Sequence, residues 1–176
     1  MKNIRREVDV VRDYLNQYTA GIVCNFIHGQ PQKFDCFVCF NYNKFDHDFV
    51  KEMSCTLENK PYNLVMFIPG RDDLPGGSRY TMDAKLIKHR CRRLVVIVSR
   101  NFHNSAACDF HVKFCHALSP GARSKKIVPV LIEPDVLVPD ILNHVGLCDY
   151  TKEDMRDWFW DRLSNAIKAP LHPEEC

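Results

Sequence analysis

The chain has 176 residues, 45% apolar and 26% charged, with a formal net charge of +2. This suits one globular domain with a short extension and a core of its own. So small a charge gives no reason to expect nucleic acid or an anionic membrane as a partner, and the longest aliphatic run, Leu94–Val98, is far too short to span a bilayer.

The first residues lack the apolar segment of a secretory signal. Residues 1–32 read as a linker or accessory helix, with Val8, Val11, Tyr14 and Leu15 on a short stripe before a turn-rich joint at 29–33. Strands and helices then alternate. A first strand is expected over Phe34–Phe40. A helix comes next, with Phe45, Phe49, Met53 and Leu57 at four-residue spacing, Val50 beside them and Asp46 as its N-cap. A second strand is expected over Tyr62–Phe67. Residues 67–78 hold Pro69, Gly70, Pro75, Gly76 and Gly77, which exclude regular structure, around a charge cluster of Arg71, Asp72 and Asp73. A helix through Met82, Leu86 and Ile87 leads to a third strand, Leu94–Val98, aliphatic as a strand buried on both faces should be.

A helix over Cys108–Leu118, ended by Ser119, Pro120 and Gly121, precedes a fourth strand at Ile127–Ile132. Pro129 within it must lie where its missing N–H is tolerated. Residues 134–143 read as irregular or a short helix, and Leu147–Tyr150 as a short fifth strand. Thr151 and Asp154 have capping-box spacing and open a last helix with Met155, Phe159, Leu163 and Ile167 on one stripe. Trp158 is expected beside that stripe and Trp160 at the surface. The alternation predicts a three-layer α/β fold: a flavodoxin-like, five-stranded parallel sheet of order 2-1-3-4-5 with helices on both faces. Ligand sites in such sheets lie beyond the carboxyl ends of the strands, the rim on which the Pro/Gly loop emerges.

Three blocks carry a family resemblance. Phe34–Phe40 resembles the first box of Toll/interleukin receptor (TIR) domains. The sequence from Arg71 to Gly76 resembles their second box, the BB loop. Trp158-Phe-Trp160 resembles the third. The resemblance covers residues 33–170, leaving 171–176 as a tail. Within the family, Lys88–Ser99, Cys108–Phe110, Leu118–Ala122 and Cys148–Thr151 are similar to the TIR domain of the myeloid-differentiation primary-response adaptor of Toll-like receptors, while Gly77–Tyr80 and the N-terminal stretch depart from it. That adaptor branch carries a death domain upstream. Residues 1–32 are too few to form one, which reads as a fragment or a TIR-only relative.

The resemblance implies cytoplasmic, homotypic assembly in innate immune signalling. The implied partners are TIR domains of Toll-like and interleukin receptors and of other adaptors, together with further copies of the chain. A TIR-only decoy is the alternative. The implied contact residues are Arg71, Asp72, Asp73, Leu74, Pro75 and Gly76 in the loop, with Arg162 on the last helix. Pro75 and Gly76 would fix a protruding backbone at low entropic cost, and Arg71 offers a planar fork for carboxylates or carbonyls. Two readings stay open: Arg71 and Asp72 shape the loop from within, or Arg71 reaches outward to a partner.

Some TIR domains cleave NAD with a glutamate on the third helix. The resemblance matches that position to His111, so no catalysis and no cofactor are expected; an imidazole does not replace a carboxylate beside an oxocarbenium-like centre. No nucleophile elbow or phosphate loop occurs elsewhere. Cys36 and Cys39, three apart on a strand, face opposite sides and read as core. Cys108, His111 and Cys115 share a helix face; zinc competes there with simple packing, and no metal is expected. Lys85, Lys88, His89, Arg90, Arg92 and Arg93 form a basic patch, either a solvated helix end or a surface for an acidic partner. Cys91 within the patch would be the most modifiable thiol if exposed.

Overall fold

A computed structural model of the protein describes residues 34–73, 75–76, 78–118 and 126–170. The expected stripe through Val8–Leu15, the joint at 29–33, Leu74, the helix stop at 119–121 and the tail at 171–176 lie outside the described residues. The elements in order are β1 (Phe34–Cys39), α1 (Lys44–Leu57), β2 (Met66–Phe67), α2 (Arg79–His89), β3 (Cys91–Val98), α3 (Ala106–Leu118), β4 (Ile127–Leu131), β5 (Cys148–Asp149) and α4 (Phe159–Lys168). Short 3₁₀ turns occupy Phe102–Asn104, Asp140–Leu142 and Glu153–Trp158. The strands form one parallel sheet in the order β2-β1-β3-β4-β5, as the alternation of strand and helix requires. No helix among the described residues is long and apolar enough to cross a membrane.

Alternating strand residues feed two cores, one on each face. Cys36, Val38, Val95, Ile97, Val128 and Val130 turn toward α1 and α4, meeting Phe49, Val50, Met53, Leu57, Phe159, Leu163 and Ile167. Phe37, Cys39, Leu94, Val96, Val98 and Ile127 turn toward α2 and α3, meeting Leu86, Ile87, Cys108, Val112 and Cys115. Cys36 and Cys39 thus enter opposite cores, as period-2 geometry demands. Each fully buried aliphatic side chain contributes roughly 1.5–3 kcal/mol of transfer free energy.

Pro129 sits in β4, opposite Val96 of β3. Ile132 donates to Val98, and Leu131 accepts from Tyr150, so the odd-numbered amides of β4 face β5. Pairing with β5 begins only at Val130, and the missing N–H of Pro129 points where no partner strand runs.

Several local expectations are corrected. The N-cap of α1 is Asn43, whose side chain accepts from the Asp46 amide at 3.0 Å. Asp46 is fully buried instead, accepting from the Ser99 hydroxyl at 2.8 Å, and its carboxyl is raised above the usual range by burial. Phe45 is exposed, because one turn earlier the stripe runs past the end of the core. β2 is two residues long: at Val65 the Asp35 side chain takes the amide at 2.8 Å, in place of a backbone acceptor, while the Val65 carbonyl still accepts from the Asp35 amide at 2.7 Å.

The last helix also starts differently. Thr151 does not cap it; the Thr151 hydroxyl and amide both turn to Asp149 Oδ1, at 2.6 and 2.9 Å. A 3₁₀ turn intervenes, with three residues per turn, which shifts the phase of α4. Trp158 is therefore exposed, and Trp160 packs against Phe49, Tyr150 and Phe159, the reverse of the expected assignment.

Candidate functional site

The loop after β2 is held by its own charged residues. The Arg71 and Asp72 amides donate to the Ile68 carbonyl at 3.1 and 3.0 Å. Asp72 Oδ2 accepts from the Ile68 amide at 2.7 Å, and Asp73 Oδ1 accepts from the Gly70 amide. Gly70 has φ +87°, and a Cβ there would lie 3.3 Å from Tyr42 Cε1, so both conformation and space call for glycine.

Arg71 is the centre of this lattice. Its Nη1 and Nη2 donate to the two Glu58 carboxylate oxygens at 2.6 and 2.8 Å, a bidentate pair at the end of α1. Nε donates to Asp72 Oδ1 at 2.8 Å, and Nη2 also reaches Asp72 Oδ2 and the Met66 carbonyl at 2.8 and 3.0 Å. The hydrogen bonds to Glu58 above all raise the guanidinium pKa, with burial opposing. The fork is turned back onto the domain, which is the loop-shaping one of the two geometries that the residues alone leave open.

The far end of the loop is fixed at the start of α2. The Arg79 guanidinium lies 4.5 Å from the Tyr42 ring centroid and donates to the Tyr42 hydroxyl. Burial pushes the Tyr42 phenol up to about 12 against the pull of Arg79. Arg79 Nε stands 3.9 Å from Asp83 Oδ2, which is 2.8 Å from His111 Nε2 on α3. His111 Nδ1 is buried with no hydrogen-bond partner among the described residues. A polar chain thus runs from the loop base through α2 into the core, where His111 meets Phe37 at a centroid distance of 5.1 Å.

Of the residues singled out from sequence, Arg71, Asp72, Asp73, Pro75 and Gly76 come together here. Pro75 and Gly76 are exposed, Gly76 with φ +101°, and Leu74 lies outside the described residues. Arg162 is exposed on α4, and no hydrogen bond or ion pair joins it to the loop among the described residues. Sequence reasoning missed Glu58, Tyr42, Arg79 and Asp83. The i, i+4 spacing of Arg79 and Asp83 was a usable signal; nothing local announced Glu58.

Cys108 and Cys115 are buried, and no group of three His, Cys, Asp or Glu side chains among the described residues is placed to hold a metal. The neighbouring Cys39 thiol lowers the Cys108 pKa, with burial opposing. Cys91 corrects an expectation: it is buried on β3, and burial pushes its thiol up to about 12. The basic patch is smaller than expected, because Arg93 is fully buried in β3 while Lys85, Lys88, His89 and Arg92 remain exposed.

The family model of the TIR domain matches residues 38–165, and the chain belongs to the TIR domain family. Among solved structures it is similar to the TIR domain of the Toll-related receptor TRR-2 of Hydra magnipapillata, at 26% identity and TM-score 0.63, covering 77% of this chain and 99% of that one. The fold is shared with a metazoan TIR-STING receptor from C. gigas, at 18% identity and TM-score 0.56, covering 82% of this chain and 43% of that one. It is shared too with a prokaryotic SEFIR domain, at 12% identity and TM-score 0.56, covering 79% and 99%.

Proposed function

We propose that this chain is an adaptor-type, cytoplasmic TIR domain that acts by homotypic contact with TIR domains of Toll-like and interleukin receptors and with copies of itself. The blocks it shares with the myeloid-differentiation adaptor favour that branch, and residues 33–170 are taken as the domain, with 1–32 as a linker. The observation that carries the reading is the Arg71 lattice. It spends the charges of the loop on holding its shape and leaves Pro75 and Gly76 projecting with no internal bond among the described residues. A preformed protrusion loses little entropy on docking, and weak contacts gain strength through multivalency. Arg71, Asp72 and Asp73 then act through the surface they hold in place, and Leu74 and Arg162 complete the proposed contact set.

NAD cleavage is not part of this reading. His111, matched by resemblance to the catalytic glutamate, is buried and engaged with Asp83. Nicotinamide release by the concentrated domain, above a buffer control, would overturn that point.

The main test is association, read by light scattering, of wild type, Pro75→His and Arg71→Ala. Both variants should lose association while keeping the helical circular dichroism of the wild type. Normal assembly by both removes the loop from the contact.

A further inference from the structure

The charges of the molecule are sorted by edge. In a parallel sheet each helix runs back against the strands, so the starts of β1–β4 and the ends of α1–α4 share one edge. That edge exposes Lys60, Lys88, Arg92 and Lys168, with Lys126 half-exposed among them. Backbone contacts tie three of these side chains down. Lys168 donates to the Tyr62 carbonyl at 2.7 Å, Arg92 to the Lys168 carbonyl at 3.1 Å and Lys126 to the Cys91 carbonyl at 2.6 Å. None of the five cations is in an ion pair among the described residues.

Little counter-charge offsets them. The described carboxylates at those strand starts and helix ends are Asp35, which holds the Val65 amide at 2.8 Å, and Glu58, which is taken by Arg71. The flanking segments 1–33 and 171–176 carry five Lys or Arg and five Asp or Glu, which cancel. The helix dipole accounts for Lys88 and Lys168 at the ends of their helices, but Arg92 and Lys126 belong to no helix. Val65 and Leu118 also stand exposed on this edge, whereas the exposed aromatics Tyr42, Phe45, Tyr80 and Trp158 lie at or just before helix starts, on the opposite one. A formal net charge of +2 conceals this separation.

We propose that this cationic edge is a docking surface for a bilayer rich in anionic phospholipid. Point charges spread along one edge suit a plane of phosphate headgroups, which attracts each lysine or arginine separately and needs no pocket. Val65 and Leu118 add shallow apolar contact at the headgroup boundary. The binding is electrostatic and peripheral, with no segment inserted across the membrane. Nucleic acid fits less well, since no exposed aromatic on this edge offers a base a stacking surface. The contact uses none of the exposed residues of the Arg71 loop, so it stands or falls separately from the loop reading.

The full chain is floated with vesicles of phosphatidylcholine alone or with about one-third phosphatidylserine, from about 50 to about 500 mM NaCl, a range over which screening becomes strong. Wild type should bind the anionic vesicles only, and should leave them as salt rises. Lys60→Glu/Lys88→Glu should bind about tenfold more weakly or worse. Lys44→Glu/Lys51→Glu makes the same change of net charge at exposed positions on the start and body of α1, and it should bind like wild type. Melting curves check folding; if the first variant melts early, Lys60→Gln/Lys88→Gln carries the test with a smaller loss. Equal losses from the two charge-reversed pairs, equal binding of wild type to neutral vesicles, or binding indifferent to salt overturns the surface. Displacement of the vesicles by a short DNA duplex at equal phosphate concentration would assign the edge to nucleic acid and overturn the lipid reading.

Discussion

Gly70 shows how much of the loop depends on single atoms. Its φ of +87° lies in the left-handed region, and Tyr42 closes the space that a Cβ would need. Gly70→Ala should therefore lower the unfolding free energy in urea by about 1–2 kcal/mol; unchanged stability would mean the loop re-forms without its turn. Arg71 differs in kind. Its side chain is 42% exposed and its ion pairs are solvated, so its removal should cost little global stability, about 1 kcal/mol at most, while releasing the loop. At Cys91 the burial that raises the thiol to about 12 leaves roughly one molecule in ten thousand as thiolate at pH 8. A maleimide at that pH should label exposed Cys55 first among the described cysteines and Cys91 among the last. Rapid labelling of Cys91 would contradict its placement in β3.

Among the elements, α4 best shows where pattern and structure diverge. The stripe Phe159, Leu163 and Ile167 was legible because it obeys the helical period, and all three residues are buried. The start of the helix was not. Thr151 and Asp154 have capping-box spacing, but Asp149 two residues upstream competes for the same hydroxyl, and that choice depends on where β5 places Asp149. The phase shift exchanges the two tryptophans. Trp160→Ala should cost about 2 kcal/mol of stability, since it empties a slot among Phe49, Tyr150 and Phe159. Trp158→Ala should leave stability within about 0.5 kcal/mol. Equal losses from both would place both rings in the core.

At the scale of the molecule, the sheet order and the two cores were legible, because alternation of strand and helix and period-2 burial are properties of short windows. The lattice behind the loop was not, because Glu58 and Arg71 are 13 residues apart in sequence and meet only once α1 and β2 are packed. Arg93 was misread for a similar reason. Counted by charge, it belonged to a solvated patch; counted by register, it is the third residue of a central strand. Its Nη2 donates to the carbonyls of Ala169 and, at 3.1 Å, of Pro170, just beyond α4. A chain ended after Lys168 should therefore unfold about 1–3 kcal/mol more easily than one ended after Pro170, since it withdraws acceptors from a buried cation. Equal melting of the two would mean that other partners suffice. Where this domain can be cut or fused is thus governed by the charge balance of a strand in the middle of the sheet, which reaches past the point where the helix itself stops.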